Sequence, residues 1–294
     1  MTAAYIVDAC RTAGGRRGGR LAGVHPVDLA AKTLDGLMDR VGIDPAAVND
    51  VVMGCVTQAG EQAIHVGRNA VLASKRLPQS VPAVSIDRQC GSSQQSIHFA
   101  AQAVMSGTQD VVIAAGVESM TRVPMLSSAT VFKQQGMGDF VSPGMNENYP
   151  GFVFSQFVGA EMVAEKHGFS KDQMDHYALE SHRRAKAATE AGAFDREILP
   201  IMVETPDGMV EHKVDEGIRF DATLEGIASV KLLMEGGKIS AASSSQMCDG
   251  ASAVLVVNEQ ALKDHNLTPL ARIHNLTVTA GDPVIMLEEP LFAT

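Results

Sequence analysis

The sequence has no long apolar run and no paired set of cysteines. No segment approaches the roughly twenty apolar residues of a membrane span, and the opening MTAAYIVDAC lacks the basic start and apolar stretch of a secretion signal. The four cysteines form no CxxC pair and accompany no histidine-rich pattern, so the sequence predicts neither a zinc site nor a disulfide framework. We therefore expect a cytoplasmic protein in a reducing compartment, with no membrane partner.

Basic residues are fewer than acidic residues, and this balance limits which binding partners the protein can have. The formal net charge of −10 at pH 7 argues against a nucleic-acid-binding surface. The arginines of RTAGGRRGGR are therefore interpreted as surface residues of a glycine-rich loop. A hydrophobic content of 45% with 20% charged residues is typical of a folded globular protein and excludes disorder.

Strand-like and helix-like patterns alternate up to about Val117. Short apolar runs predict strands at 4–7, 51–54, 83–86 and 111–115. Between them, residues 28–41 have the spacing of an amphipathic helix, with Gly42 as its end. This order predicts an α/β fold with a mostly parallel sheet.

The composition changes after Glu118. Eight of the ten phenylalanines and ten of the fifteen methionines lie between Ser119 and Gly250. Strand-like sequence resumes at 253–257. We therefore interpret residues 119–249 as an insertion between two strands of one sheet, and long structured insertions commonly serve binding or assembly.

Cys90 lies in the run AVSIDRQCGSSQQSIHFAAQAVMSG, where a strand pattern changes to a helix pattern. From Gly91 onward apolar residues recur three to four apart, and Gly107 is a typical helix end. The thiol is therefore predicted at a helix N-terminus, where backbone N–H groups and the helix dipole favour an anion. A thiolate in that position suits acyl transfer, whereas the alternative for a lone cysteine is a buried structural role.

The residues around Cys90 resemble the nucleophile region of the thiolase family. DRQCGSSQQSIHFAAQAVMSG and the following DVVIAAGVESMTRVPM carry this resemblance. Other segments are similar to the family in the same order: IVDACRTAGGRRGGRLAGV at the start, AEMVAEKHGFSKDQMDHYALESHRRAKAATEAGAFDREILPI in the loop domain, and SAASSSQMCDGASAVLVVNE after it. The resemblance covers essentially the whole chain and implies the layered αβαβα thiolase fold of two similar halves.

The resemblance also implies a domain organisation. Residues 1–118 and 250–266 would form the N-terminal α/β core half, 119–249 the inserted loop domain, and 267–294 the start of the C-terminal half. LARIHNLTVTAG near the end echoes AYIVDACRTAG near the start, as a duplicated fold requires. The family's Asn-Glu-Ala-Phe segment, Gly-His-Pro motif and second catalytic cysteine do not follow, so the second half is only begun. We expect the 294-residue chain alone to be inactive in turnover, although Cys90 can still react.

The resemblance to thiolases implies functional roles for three residues. Cys90 would hold the acyl group as a thioester, with its backbone N–H as an oxyanion donor. Ser245 in SSSQMCDG matches a serine that contacts the pantetheine arm of coenzyme A, with Ser243 and Ser244 as adjacent alternatives. Arg219 in DEGIRF matches an arginine near the adenine end of coenzyme A. Acyl-CoA and CoA are thus the expected substrates, with no metal and no resident cofactor.

Three further polar residues are predicted to be structural. His98 lies eight residues after Cys90 on the same helix, a rise of about 12 Å that is too long for a Cys–His pair, so we expect it at the surface or in packing. Glu118, at the end of a strand, is expected to hydrogen-bond within the core turn and not to act as a base. Cys248 is expected to be structural.

Two functions remain open from the sequence. The first is a thiolase-type acyl-CoA C-acyltransferase that cleaves 3-ketoacyl-CoA with CoA or catalyses the reverse Claisen condensation. Within the family, the segments SSSQMCDG and QFVGAEMVAEKHG resemble degradative or sterol-related thiolases more than short-chain biosynthetic ones. The alternative is a non-catalytic thiolase-like fragment that binds acyl-CoA or a partner. The family and the Phe- and Met-rich insertion both suggest a homodimer or homotetramer.

Overall fold

The computed structural model describes residues 2–206 and 208–294. Met1 and Asp207, which the predicted domains include, lie outside the described residues. The strands of the described part are β1 Tyr5–Thr12, β2 Gly15–Arg16, β3 Asp50–Gly54, β4 Ala83–Ile86, β5 Val111–Ser119, β6 Ile198–Leu199, β7 Ile201–Thr205, β8 Gly208–His212, β9 Cys248–Val257 and β10 Ala271–Arg272. Its α-helices are α1 Pro26–Val41, α2 Val66–Ala73, α3 Ser92–Ser106, α4 Ser127–Gln134, α5 Pro143–Asn148, α6 Gln156–Lys166, α7 Lys171–Glu190, α8 Leu224–Ala228, α9 Glu259–Asp264 and α10 Glu289–Ala293.

The chain divides into two compact units. The sheet unit, which holds all the strands above with α1–α4 and α9, comprises Met1–Gly136, Phe194–Gly217 and Met247–Asn275. The helical unit, which holds α5–α8 and α10, comprises Met137–Ala193, Ile218–Gln246 and Leu276–Thr294. The predicted loop domain and the predicted start of a second half each contribute to both units, and the predicted domain boundaries stay a prediction.

The main sheet is mixed, with strand order β10-β1-β9-β5-β3-β4. Strand β3 pairs in parallel with β4 and β5, whereas β9 runs antiparallel between β1 and β5. The expectation of a mostly parallel sheet was therefore wrong at β9. Ser119 is paired with Asp249. The chain thus leaves β5 and enters β9 at the same end of the two strands, so the strands must run in opposite directions.

Successive side chains of the central strands point to opposite faces of this sheet, and those on both faces are buried. Val51, Ile113 and Leu255 pack with α1 and α2 in the main hydrophobic cluster. The alternate residues of β5 and β9, such as Val112 and Val256, are also fully buried, on the face that α3 covers. The sheet unit is therefore an α/β/α arrangement, which explains why its strands read as continuous apolar runs.

The predicted helix ends are confirmed. Helix α1 begins with Pro26 as its first residue and ends at Gly42, whose φ of 72° is left-handed. Helix α3 ends at Gly107 in the same conformation, with φ 78°. Glycine adopts this conformation without a Cβ penalty, so both helices end where the sequence places a glycine.

The helical unit is held together by charged groups that bind backbone. The Glu161 carboxylate on α6 accepts the N–H groups of Lys238 and Ile239 at 2.8–2.9 Å. The Lys171 ammonium on α7 bonds the Asp175 carboxylate at 2.5 Å and the carbonyl of Ala228 at 3.1 Å. These bonds connect α6 and α7 to the segments at 228 and 238–239.

No helix in the described part of the chain is both long and apolar enough to cross a membrane.

Arg11 joins the segment Phe194–Gly217 to the sheet. Its guanidinium donates to Asp215 at 2.8 and 3.1 Å and to Glu197 at 2.8 Å, and Asp215 also accepts the Gly14 N–H at 2.7 Å. Burial by itself raises the pKa of Asp215, but the hydrogen bonds from Arg11 and Gly14 outweigh it and leave the pKa below its ordinary value. The ionised carboxylate is therefore part of the folded structure.

Replacing Asp215 tests this connection. Because the folded pKa is lowered, the stabilisation is present at neutral pH and is lost as the pH falls through the pKa of the carboxyl. We expect Asp215→Asn to lower the free energy of unfolding at pH 7 by about 1.5–3 kcal/mol, with a smaller difference from wild type near pH 3. Urea unfolding at the two pH values measures it.

Asp39→Asn is the matched control. Asp39 pairs with Arg76, and both side chains are more than half exposed. An exposed pair contributes less than about 1 kcal/mol, so this variant should stay close to wild type. Equal losses in the two variants, or a loss at Asp215 that does not change with pH, would contradict the assignment.

Candidate active site

The turn between β4 and α3 carries Cys90. Strand β4 ends at Ile86, α3 begins at Ser92, and the Cys90 side chain is exposed between them. Gln89 has a φ of 47°, the left-handed region that residues other than glycine rarely occupy. Gly91 is the N-cap of α3 and supplies no side-chain cap. The predicted position of Cys90 at a helix start is thus confirmed.

The hydroxyl of Ser92 closes this turn, a role that the sequence analysis missed. Its Oγ accepts the Arg88 N–H at 2.9 Å and donates to the Gln89 carbonyl at 2.6 Å. The backbone adds two bonds across the same turn, from the Gly91 N–H to Arg88 at 3.1 Å and from the Ser92 N–H to Gln89 at 3.0 Å. Serine near a helix start is the only sequence signal of this role, and it is common.

Two glycines allow the start of α3 to lie against the sheet. A Cβ on Gly54 would lie 2.5 Å from the carbonyl carbon of Ser92 and 2.6 Å from the nitrogen of Ser93. A Cβ on Gly116, on the neighbouring strand, would collide with the Ser93 hydroxyl and lie 2.8 Å from the Ser93 Cβ. Any larger residue at these positions would push the helix start, and the turn before it, away from the sheet.

The environments of the other three cysteines disfavour the thiolate. Cys10 is 3% exposed, and burial raises its pKa to about 12. Cys55 is 1% exposed, and burial followed by the negative charge of Glu118 raises its pKa well above the usual range. Cys248 is exposed at the start of β9, where partial desolvation and then the charge of Asp249 raise its pKa. Cys90 alone combines an exposed thiol with a helix start.

A buried polar network fixes the loop that follows β3. The Glu118 carboxylate accepts the N–H groups of Val56 and Thr57 at 2.7 and 3.2 Å and the Gln62 side-chain amide at 2.9 Å. Gln62 in turn accepts the Ser119 N–H at 2.7 Å. Glu118 accepts hydrogen bonds as predicted, but from the loop after β3 and not from its own turn. Its partner Gln62 had no recognisable signal in the sequence.

His98 is buried on the face of α3 and is 7% exposed. Burial, and then the positive charge of Arg88, lower its pKa, which favours the neutral imidazole. The prediction of a packing role, rather than a pair with Cys90, agrees with this burial.

Comparison with known proteins identifies the family. Residues 4–260 match the thiolase N-terminal domain. A steroid 3-ketoacyl-CoA thiolase, FadA6 of Mycobacterium tuberculosis, is 51% identical over 300 residues, which cover 100% of this chain and 71% of that protein. The 3-ketoacyl-CoA thiolase of Cronobacter sakazakii is 38% identical over 299 residues, covering 100% of this chain and 74% of that protein. This chain belongs to the thiolase family.

A solved thiolase-family structure agrees with the fold. The acetyl-CoA acetyltransferase of Bacillus anthracis superposes with a TM-score of 0.85 at 32% identity, over 97% of this chain and 73% of that chain. The thiolase-like layered α/β fold expected from the sequence is thereby confirmed.

The two residues that the thiolase resemblance assigns to coenzyme A lie in the helical unit. Arg219 is exposed, and its backbone N–H donates to Nδ1 of His182 at 3.2 Å. Ser245 is exposed in the segment before β9, where the neighbouring Ser244 hydroxyl already donates to the Ser240 carbonyl at 2.8 Å. Cys90 belongs to the sheet unit. The roles of all three residues stay predictions.

Selective alkylation tests the contrast between the cysteines. With iodoacetamide at neutral pH, we expect Cys90 to react faster than Cys248, because the raised pKa of Cys248 lowers its thiolate fraction. Cys10 and Cys55 should react only after unfolding. Peptide mapping by mass spectrometry measures the four rates.

A Cys90→Ser variant and a urea-unfolded sample serve as controls. The variant should lose the fast phase, and the unfolded chain should modify the remaining cysteines at similar rates. Faster labelling of Cys248 than of Cys90 in the folded protein would contradict the assignment of Cys90.

Proposed function

We propose that this protein is a thiolase-type acyl-CoA C-acyltransferase that works through an acyl thioester on Cys90. The observation that carries the proposal is the exposed Cys90 thiol on a tight turn at the start of α3, in a chain of the thiolase family. Helix starts favour negative charge, so this position supports the thiolate that attacks a carbonyl.

The reaction divides one carbon–carbon cleavage into two transfers of an acyl group. The Cys90 thiolate attacks the 3-keto carbon of a 3-ketoacyl-CoA, the bond between C2 and C3 breaks, and its electron pair leaves with the acetyl-CoA fragment. A proton delivered to C2 completes acetyl-CoA. The thiol of CoA loses its proton, attacks the Cys90 thioester and releases the shortened acyl-CoA together with the Cys90 thiolate. Read backwards, the same steps are the Claisen condensation.

The backbone N–H of Cys90 is proposed as one oxyanion donor. A donor placed at the developing oxyanion contributes about 3 kcal/mol to catalysis in comparable sites. Arg219 and Ser245 are proposed to contact the adenine end and the pantetheine arm of coenzyme A. Acyl-CoA and CoA enter as substrates, and we propose no resident cofactor.

For the substrate, we propose a 3-ketoacyl-CoA with a bulky steroid-type acyl group. The support is the 51% identity to a protein named as a steroid 3-ketoacyl-CoA thiolase. A reducing cytoplasmic location is proposed with it, since the four cysteines are free.

Covalent capture tests the proposed function. After incubation with a steroid-type 3-ketoacyl-CoA, we expect an acyl mass on the Cys90 peptide and one acetyl-CoA released per thioester formed. Straight-chain 3-ketoacyl-CoA and acetoacetyl-CoA, run in parallel, rank the acyl groups. Mass spectrometry of the peptide and chromatography of the released acetyl-CoA provide the two measurements.

Cys90→Ala is the control and should give neither product. Binding of the substrate without an adduct on wild-type Cys90 would overturn the proposal and favour a non-catalytic acyl-CoA-binding protein. An adduct on a different cysteine would remove Cys90 from the mechanism.

We also propose that the protein forms a homodimer through the β4 edge of its sheet. Strand β4 ends the strand order, and an edge strand presents unpaired backbone groups to another chain. Large apolar side chains are exposed on β4 and on the two helices packed against it, at Leu72, Val84 and Phe99. A second copy of this chain would cover both features.

Light scattering tests the dimer. At micromolar concentration we expect twice the chain mass of 31.1 kDa. Val84→Glu should shift the mass toward the monomer, because it places a charge within the proposed interface. Tyr177→Glu, at a side chain 81% exposed on α7, is the control and should leave the mass unchanged. A monomer mass for wild type would contradict the proposal.

A further inference from the structure

We propose that Ser92 is a positioning residue that holds Cys90 in its reactive orientation; this rests on the proposed role of Cys90 as nucleophile. Ser92 does not itself touch the reacting atoms. Its hydroxyl bonds the two residues before Cys90, accepting from Arg88 at 2.9 Å and donating to Gln89 at 2.6 Å. The chain on either side of the nucleophile is thereby joined through one side chain.

The hydrogen bonds of the Ser92 hydroxyl stabilise an unusual backbone conformation at Gln89. Its φ of 47° is unfavourable for a side chain with a Cβ, so surrounding bonds must maintain it. The backbone of Gln89 makes three of them: its carbonyl accepts from the Ser92 hydroxyl and from the Ser92 N–H at 3.0 Å, and its N–H donates to the Asp87 carboxylate at 2.6 Å. The Ser92 hydroxyl is the only one of these groups that also holds Arg88. It therefore fixes the turn on both sides of the left-handed residue.

Burial and close packing make Ser92 a rigid support. Ser92 is 3% exposed, and its backbone lies against Gly54 so closely that a Cβ there would lie 2.5 Å from its carbonyl carbon. The backbone that carries the hydroxyl is thus packed against the sheet, and the side chain is shielded from solvent. A nucleophile held on such a support keeps its alignment to a substrate carbonyl, which is where small displacements are costly in rate.

Ser96 gives a matched comparison one turn further along α3. It is fully buried, and its hydroxyl donates to the carbonyl of Ser92 at 3.1 Å. It makes no bond to the turn itself among the described residues. Removing the Ser96 hydroxyl therefore disturbs the same helix without touching the residues that flank Cys90.

The test compares acylation with alkylation in the same variants. Ser92→Ala should lower the rate of Cys90 acylation by a 3-ketoacyl-CoA about 10- to 100-fold, since acylation requires aligned carbonyl attack. Alkylation by iodoacetamide, a small reagent that approaches from any direction, should change less than about threefold. Ser92→Thr should restore acylation, and Ser96→Ala should resemble wild type in both reactions.

Gln89→Gly in the Ser92→Ala background separates positioning from general destabilisation. Glycine adopts a positive φ without support, so the double variant should recover part of the lost acylation rate. Should Ser92→Ala not fold, Ser92→Thr and Ser92→Val replace it, because these side chains have the same shape and differ in the hydroxyl. The valine variant is then the one expected to be slow.

The outcomes separate this inference from the proposed function. If wild type forms no acyl adduct on Cys90, the proposed function fails. If wild type is acylated and Ser92→Ala is acylated within twofold of it, Ser92 has no positioning role. A parallel loss of acylation and alkylation, without recovery by Gln89→Gly, would also overturn the inference, because it indicates unfolding of the turn.

Discussion

The close approach of helix α3 to the sheet is the constraint on which the rest of the site depends. The first turn of α3 lies against β3 and β5 at positions where only glycine fits, Gly54 and Gly116. The helix start cannot move away from the sheet without losing this packing. The chain must therefore turn from β4 into α3 within the few residues between them. The left-handed Gln89 and the Ser92 hydroxyl bonds belong to this short connection, in which the Cys90 thiol is exposed.

The end of the sheet at which β4 leads into this turn brings together parts of the chain that are distant in sequence. The parallel strands β3, β4 and β5 all end there, and the loops after such strands are the usual location of sites in α/β folds. Strand β9 enters from the same end, which brings Asp249 beside Ser119, and Glu118 fixes the loop after β3 through bonds to backbone. The site therefore rests on rigid strand ends rather than on the loop that carries the nucleophile.

Membership in the thiolase family gives these features a common interpretation. The covalent chemistry is proposed for the sheet unit, where Cys90 is the exposed thiol at a helix start. The coenzyme A contacts are proposed for Arg219 and Ser245, which belong to the helical unit.

The amino-acid sequence by itself determined the local elements and the family. Apolar periodicity and glycine positions predicted β3, β4, α1 and α3 closely, because propensities and helix ends depend on neighbouring residues. It also placed Cys90 next to a helix start, since a cysteine between a strand pattern and a helix pattern is a local feature. Only the tertiary structure decided the antiparallel insertion of β9, the bonds of Arg11 to Asp215, and the packing of Gly54 and Gly116 against α3. Those features join residues that are from about 20 to more than 200 positions apart, and no local propensity specifies which distant residue will supply the partner.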